Sequence, residues 1–199
     1  MAPRLILASA SPRRRELLNQ AGYAFEVRAM DVPEQQGVGE TPEQYGLRVA
    51  LAKARAAFAA EPEQNKWVVL AADTEVALGA RVLGKPQDAT DAVRMLRELS
   101  GGTHLVYSAL AAVRAGQEES LVQTSKVTFR EISSCEIEKY VASGEPFGKA
   151  GAYAIQGRAA AFVRNLQGSY TGVMGLPLYE TCELLGRFGV KPNSPLSAR

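Results

Sequence analysis

The order of elements in this chain is set by its first motif, Leu5-Ile6-Leu7-Ala8-Ser9-Ala10-Ser11-Pro12-Arg13-Arg14-Arg15-Glu16-Leu17-Leu18. An apolar run ends in small hydroxyl residues, and Ser11 can cap a helix that begins at Pro12, so the motif predicts a strand, a tight turn and a helix. Such a turn gathers free backbone N–H groups, the positive end of the helix dipole, serine hydroxyls and arginines, which together bind phosphate. For this motif alone, an ordinary strand–helix unit with solvated arginines is an equally good interpretation.

Composition limits the class of protein and its partners. The chain has 199 residues, of which 46% are hydrophobic and 22% charged, as is typical of a globular domain. We expect one domain of two lobes at residues 1–190 and a loose tail at 191–199. The net charge of +2, spread along the chain, argues against nucleic acid as a partner. No membrane-spanning run or signal peptide is visible, so we expect no membrane partner and a cytoplasmic location.

Apolar runs, alternation and capping boxes predict the remaining elements. The predicted strands are residues 24–29, 67–72, 75–78, 81–83, 104–114, 120–130 and 160–166. Beyond the first helix, helices are predicted to begin at Thr41, at Asp88 or Thr90, at Ser133 and at Pro177. Residues 168–175 read as a flexible turn between the last strand and the last helix.

Two charged residues are predicted to meet at one end of the sheet. Asp73-Thr74 follow the apolar run 67–72, and ligands of open α/β sheets bind beyond the carboxyl ends of strands. Asp73 is therefore a functional candidate, with a turn or cap residue as the alternative. The predicted hairpin 75–83 can return Lys85, within Gly84-Lys85-Pro86, to the same place.

Two further residues allow both a functional and an ordinary interpretation. Lys53 belongs to the apolar stripe of the helix that begins at Thr41, so it either extends to solvent or contacts a phosphate. Glu34 shares a polar loop with Asp31 and is either solvated or a metal ligand.

The histidine and the cysteines receive no chemical role from the sequence. His104 is the only histidine, so a histidine metal cluster is not expected and a surface position is predicted. Cys135 and Cys182 lack short metal-type spacing and fall within predicted helices, which favours buried, reduced thiols.

Taken together, the motifs of this chain resemble those of the Maf family of nucleoside triphosphate pyrophosphatases over about residues 4–188. The resemblance lies in the order and spacing of Ser9-Ala10-Ser11-Pro12-Arg13-Arg14, Ala72-Asp73-Thr74, Gly84-Lys85-Pro86, Ser100-Gly101-Gly102-Thr103-His104, Lys149-Ala150-Gly151-Ala152-Tyr153-Ala154-Ile155-Gln156-Gly157, Gly168-Ser169-Tyr170 and Gly175-Leu176-Pro177-Leu178. The segment ending in Gln156-Gly157 is similar to the branch of the family that acts on dTTP and UTP.

The resemblance implies an α/β fold like that of inosine triphosphate pyrophosphatases, with a mixed twisted sheet, flanking helices and a deep cleft between two lobes. It also implies a divalent cation, a homodimer, and hydrolysis of a nucleoside triphosphate to the monophosphate and pyrophosphate. By the same resemblance, Asp73 is the proton acceptor, and Arg13, Thr74 and Gln156 set the choice of substrate.

Physical chemistry supplies a hypothesis for each remaining role. Mg²⁺ or Mn²⁺ would be held by Asp73 and Glu34. The phosphates would be bound by a bidentate Arg13, by the charges of Arg14, Lys53 and Lys85, and by the hydroxyl of Ser9. The amide of Gln156 offers a donor and an acceptor side by side, which match O4 and N3–H of uracil or thymine, provided that neighbours fix its orientation.

Two departures from the family pattern and two alternative functions remain. Glu75 stands where similar sequences have an apolar residue, which adds a carboxylate near the expected metal site, and Thr171-Gly172 replaces a polar pair ending in asparagine.

The alternatives to this function are a pyrophosphatase with another base preference and a nucleotide-binding regulator of cell division. A pure binder needs the phosphate contacts but no group that activates water, so Asp73 with Lys85 favours the enzyme.

Overall fold

A computed structural model describes residues 3–193 as one mixed sheet with flanking helices. The strands are β1 (Arg4–Leu7), β2 (Glu26–Val27), β3 (Trp67–Leu78), β4 (Arg81–Leu83), β5 (Thr103–Arg114), β6 (Gln117–Phe129) and β7 (Val163–Gln167). The helices are α1 (Pro12–Gln20), α2 (Pro42–Ala59), α3 (Ala89–Leu99), α4 (Ser134–Ala142), α5 (Tyr170–Met174) and α6 (Leu178–Arg187), with short 3₁₀ helices at Gln64–Lys66, Ala150–Ala152 and Arg158–Phe162. The α/β class with a mixed sheet is thereby confirmed. The predicted tail at 191–199 lies outside the described residues from position 194 onward.

The sheet order places a gap beside β3. The strands follow the order β2-β1-β3-β5-β6-β7, and β4 pairs with β3 on the edge that β1 also uses. β1 pairs in parallel with residues 67–70, whereas β4 pairs in antiparallel fashion with residues 76–78. On this edge, no described strand covers residues 71–75, although β5 pairs with them on the other side. The gap separates two groups of helices, α1, α2 and α6 on one side and α3 and α4 on the other, so the chain forms two lobes.

Small residues let α2 approach the sheet closely. The buried face of this helix includes Gly46, Ala50, Ala54 and Ala57, which pack over a part of the sheet that is rich in alanine. A Cβ atom at Gly46 would lie only 3.5 Å from the Cβ of Ala109 on β5. The same face carries Lys53, which is 8% exposed. The close approach of α2 to the sheet brings this lysine to the gap beside β3, where it contacts Asp73.

The predicted helix starts are confirmed in the structure. The hydroxyl of Ser11 accepts a hydrogen bond from the backbone N–H of Arg14, and Pro12 is the first residue of α1. Thr41 and Ser133 form complete capping boxes, and Asp88, rather than Thr90, caps α3. Each cap satisfies backbone donors that a helix otherwise leaves unpaired, which explains why local sequence places these boundaries well.

Some strand boundaries and one turn were predicted wrongly. Asp73-Thr74 do not follow the end of a strand, because β3 continues through them to Leu78 while pairing with β5. The predicted strand at 24–29 is reduced to β2, and the segment 160–166 begins within a 3₁₀ helix before β7. Residues 170–174 are helical rather than a flexible turn, since the hydroxyl of Ser169 caps the N–H of Gly172 at 2.9 Å.

The predicted environments of His104 and of one cysteine were also wrong. His104 is buried rather than on the surface, and its Nε2 hydrogen-bonds with the hydroxyl of Tyr153 at 2.9 Å. The ring packs edge-on against Phe129. Its Nδ1 is buried without a hydrogen-bond partner among the described residues, so Tyr153 satisfies only one of the two ring nitrogens. Cys182 is partly buried, but Cys135 is exposed because it lies on the solvent face of α4, and both thiols are free.

The helices of the described chain include none with the length and apolar character required to cross a membrane.

We predict that Ala54→Leu lowers the free energy of unfolding by about 1–3 kcal/mol, because the close contact between α2 and the sheet leaves no room for a larger side chain. Ala59→Leu, at the exposed end of the same helix, should change the free energy of unfolding by less than about 0.5 kcal/mol. Urea denaturation of both variants tests this expectation, and equal stability of the two would contradict it.

Candidate active site

A cavity of about 580 Å³ lies at the gap beside β3 and between the two lobes. Its lining includes every residue to which the sequence assigned a role: Ser9, Arg13, Arg14, Glu34, Lys53, Asp73, Thr74, Lys85 and Gln156. These residues come from positions as far apart as 9 and 156, so their convergence is a property of the fold. Their individual roles stay predictions.

Lys53 joins two carboxylates in this cavity. Its ammonium group lies 2.8 Å from Oδ1 of the buried Asp73 and also forms an ion pair with Glu34. Burial would raise the pKa of Glu34, but the hydrogen bonds and charges of Lys53 and then of Lys85 outweigh it, so its pKa is lowered. Glu34 is therefore ionised at neutral pH. Lys53 does not extend to solvent but lies in the cavity, and its contact with a phosphate stays a prediction.

Glu75 is a functional candidate that the sequence identified only as a departure from the family pattern. It is 7% exposed, and burial, followed by a hydrogen bond to Asp73 and the nearby negative charges, raises its pKa to about 9. Glu75 is consequently neutral at pH 7 and can donate a hydrogen bond to Asp73. Oδ2 of Asp73 is buried and has no other hydrogen-bond partner among the described residues, so it can accept this bond.

The turn after β1 is held together by Arg14. Its guanidinium donates to the carbonyl of Gly175 at 2.8 Å and to the hydroxyls of Ser9 and Thr74 at 3.2 Å each. Burial is the main cause that lowers the pKa of Arg14, and the charge of Asp73 partly compensates for it. Because these donors are already used, Arg14 contributes charge and rigidity to the site rather than a free fork.

Arg13 is the arginine with donors available for a ligand. Its Nε donates to the carbonyl of Met174 at 3.3 Å, and its two terminal nitrogens have no hydrogen-bond partner within residues 3–193. The backbone of α5 and the residue after it thus orients both arginines. No residue pattern could predict this contribution, because backbone carbonyls carry no residue identity.

Two lysines lie on the other wall of the cavity. Lys85 is largely exposed and lies 3.4 Å from Oε2 of Glu34, so it faces the acidic side. Lys149 donates to the carbonyls of Glu145 and Phe147, and burial, with a smaller contribution from Arg13, lowers its pKa. Lys149 was visible in a glycine-rich segment, but its sequence context alone assigned it no role.

Gln156 lines the cavity from an exposed position. Its amide makes no hydrogen bond to another described residue, so no neighbouring side chain of the described chain fixes its orientation. The sequence hypothesis required such neighbours, and on this point the structure differs from it.

The residues of the cavity fit a divalent cation in their chemistry. Asp73 and Glu34 provide carboxylate oxygens, which Mg²⁺ and Mn²⁺ prefer, and the Lys53 ammonium group already occupies a cation position between them. Three protein ligands do not converge at metal distance anywhere in residues 3–193. Mg²⁺ commonly binds to one or two protein carboxylates, and phosphate oxygens and water complete its coordination shell.

Curated relatives are similar in sequence to this chain over nearly its whole length. One from Xanthomonas euvesicatoria pv. vesicatoria, called dTTP/UTP pyrophosphatase, is 53% identical over 191 residues, which cover 93% of this chain and 98% of the relative. Relatives with the same name from Anaeromyxobacter dehalogenans strain 2CP-C and Ralstonia nicotianae are 53% and 48% identical, with at least 94% of each chain covered.

Two solved structures are also similar in part. The Ham1 protein of Staphylococcus aureus is 15% identical with a TM-score of 0.41, over 63% of this chain and 71% of that one. Protein VC0702 from Vibrio cholerae is 11% identical with a TM-score of 0.38, over 62% of each chain. Because both TM-scores are below 0.5, the assignment of the fold class is based on the sheet topology described above. A family model described as Maf-like protein matches residues 4–188, and with the relatives at about 50% identity this match establishes that the chain belongs to the Maf family.

Proposed function

We propose that this protein hydrolyses dTTP and UTP between the α- and β-phosphates to give the nucleoside monophosphate and pyrophosphate. The observation that carries the proposal is the buried Asp73, which lies in one cavity together with the phosphate-binding turn, the cationic residues and Gln156. The relatives named dTTP/UTP pyrophosphatase, at about 50% identity, support the same substrates and reaction.

Asp73 is the group that we assign to the attacking water. A carboxylate that accepts a hydrogen bond from water orients it, and it takes up the proton as the new phosphorus–oxygen bond forms. The ammonium group of Lys53, 2.8 Å from Oδ1, places a positive charge beside this carboxylate. Burial of both groups limits competing bulk water at the attacked phosphorus.

A divalent cation, Mg²⁺ or Mn²⁺, would be held by the carboxylates of Asp73 and Glu34. It would supply positive charge that neutralises the charge accumulating on the phosphate oxygens during the reaction. Lys53, which contacts both carboxylates, keeps them together at this position.

The phosphates are bound by the first turn and by the lysines. The free terminal nitrogens of Arg13 can hold two phosphate oxygens in a fork, while Ser9 and the turn amides add neutral donors. Lys85, which also lines the cavity beside Glu34, adds further positive charge to compensate that of the triphosphate.

Gln156 reads the base in this proposal. Its carbonyl accepts from N3–H and its amide N–H donates to O4 of uracil or thymine, whereas cytosine presents the reversed pattern.

We propose in addition that the protein acts as a homodimer in the cytoplasm. Its free cysteines suit a thiol-reducing compartment, and the dimer follows the family resemblance.

The first prediction concerns the reaction itself. With Mg²⁺ or Mn²⁺, the protein should release pyrophosphate from dTTP and UTP faster than from CTP, dATP, GTP and 7-methyl-GTP, and Asp73→Asn should lower the rate by about 100-fold or more. Asp31→Asn, in an exposed loop, should leave the rate unchanged. Pyrophosphate release across this panel measures both effects. Binding without turnover of any nucleotide would favour the regulator instead.

The second prediction concerns Lys85. Lys85→Met should reduce turnover of dTTP by about 10- to 100-fold, since it removes a charged contact to phosphate. The free energy of unfolding should change by less than about 1 kcal/mol, because the ion pair with Glu34 is largely solvated. Lys126→Met, at an exposed position of β6, is the matched control for steady-state kinetics. Full activity of Lys85→Met would remove Lys85 from the mechanism.

The third prediction concerns choice of base. Gln156→Glu replaces the N–H donor by a second acceptor, so kcat/KM for UTP relative to CTP should fall by about 10- to 100-fold. Gln167→Glu, an exposed residue of β7, makes the same chemical change outside the cavity and should keep the preference. Competition between UTP and CTP measures the ratio directly. An unchanged preference in Gln156→Glu would refute the assigned role.

A further inference from the structure

The position of Gln156 depends on its backbone. Its side chain makes no hydrogen bond to another residue within 3–193, yet reading a base requires the amide to be placed to within about 0.5 Å. Immediately before it, Ala154 and Ile155 are 5% and 4% exposed, so the segment enters the core just before the exposed glutamine. What holds this backbone in place therefore determines where the amide lies.

Tyr140 holds the segment on the N-terminal side of Gln156. It projects from α4, is 3% exposed, and its hydroxyl accepts a hydrogen bond from the backbone N–H of Ala154 at 3.2 Å. The same hydroxyl donates to Oε1 of Glu145 at 2.9 Å. The tyrosine oxygen is thus fixed by one bond that it accepts and one that it donates.

Glu145 holds the segment on the C-terminal side. Its Oε2 accepts from the backbone N–H of Arg158 at 3.1 Å, and Oε1 lies 3.5 Å from the N–H of Ala159. The carboxylate therefore satisfies donors at the start of the 3₁₀ helix Arg158–Phe162, as a side-chain cap does. Hydrogen bonds to a charged acceptor are stronger than neutral ones.

Gly157 shows how tightly the carboxylate packs on this segment. A Cβ atom at Gly157 would lie 2.3 Å from Oε1 of Glu145, closer than any non-bonded contact allows. Its φ of −105° is accessible to every residue, so a larger residue here would conflict with the Glu145 carboxylate in space rather than in backbone conformation, and the carboxylate would have to move. The residue that follows Gln156 is therefore in direct contact with the group that positions it.

We propose that Tyr140 and Glu145 form a clamp that fixes the backbone on both sides of Gln156 and thereby sets the discrimination between uracil and cytosine. The clamp rests on the proposed function, since it positions the residue that reads the base. Neither clamp residue lines the cavity, so both act as positioning residues and not as contacts to the nucleotide.

The clamp makes a prediction that a general loss of stability does not make. Asp73, Lys53 and the first turn lie on the other side of the cavity and share no hydrogen bond with Tyr140 or Glu145. Loosening the clamp should displace the amide of Gln156 and leave the hydrolytic groups in place. The expected signature is a loss of preference with little loss of turnover.

The test compares Tyr140→Phe and Glu145→Gln with the controls Tyr179→Phe and Glu138→Gln, which change exposed residues in the same chemical way. For each full-length protein, kcat/KM for UTP relative to CTP is measured by competition, together with kcat for UTP at saturation and the thermal midpoint. Each clamp variant should lower the UTP/CTP ratio by about tenfold and keep kcat for UTP within about threefold. Both controls should keep the wild-type ratio.

Several outcomes would overturn the clamp. If the clamp variants lose activity on UTP and CTP equally, at an unchanged ratio, the two residues support the fold and nothing more. If Tyr140→Phe fails to fold, Glu145→Gln preserves the size of the side chain and Gly157→Ala disturbs the same contact from the other side, and an unchanged ratio in both refutes the proposal.

Failure of the proposed function would look different from failure of the clamp. If the wild-type protein releases no pyrophosphate, or has equal kcat/KM for UTP and CTP, the proposed function and the clamp are both refuted before any variant is compared. A wild-type preference that Gln156→Glu abolishes but the clamp variants retain leaves the function intact and refutes the clamp alone.

Discussion

The uncovered edge of β3 is the constraint on which the site depends. β5 pairs with this strand from Val69 to Ala77, so the backbone around Asp73 is fixed by a continuous ladder on one edge. On the opposite edge β1 ends at Leu7 and β4 begins only beside Val76, and the space between them becomes the cavity. A catalytic group at this point combines a fixed backbone with an accessible side chain, which a loop could not provide to the same degree.

The buried ion pair between Lys53 and Asp73 is better explained by its position in the cavity than by stability. Removing two charges from water costs several kcal/mol, which their attraction repays only with good geometry, so such pairs often add little net stability. The pair instead brings a cation and a carboxylate together in the cavity, two residues along β3 from Glu75, whose pKa is raised to about 9, chiefly by burial. A buried acid with a strongly raised pKa is typical of sites that handle protons.

Much of the fold and of the site could be predicted because local rules determined it. Caps at Ser11, Thr41 and Ser133 placed the helix starts, and an acid after the buried run 67–72 was correctly placed in the cavity. What failed depended on long-range contacts. β3 continues past Asp73 because β5 pairs with it, and His104 is buried where Tyr153, 49 residues away, supplies a partner for its Nε2. The segment around Gln156 is held by hydrogen bonds from its backbone to the side chains of Tyr140 in α4 and of Glu145 beyond α4, which no local residue pattern predicts.

The burial of His104 affects the whole molecule. Desolvation lowers its pKa to about 4, so the imidazole is neutral throughout the physiological range. As the only histidine, it leaves the chain without the side chain that usually gains or loses charge between pH 5 and 7. The electrostatic attraction that the protein exerts on a polyanion therefore stays nearly constant over this interval. Acidification of a cell by one pH unit would alter the protonation of the nucleotide more than that of the protein that receives it.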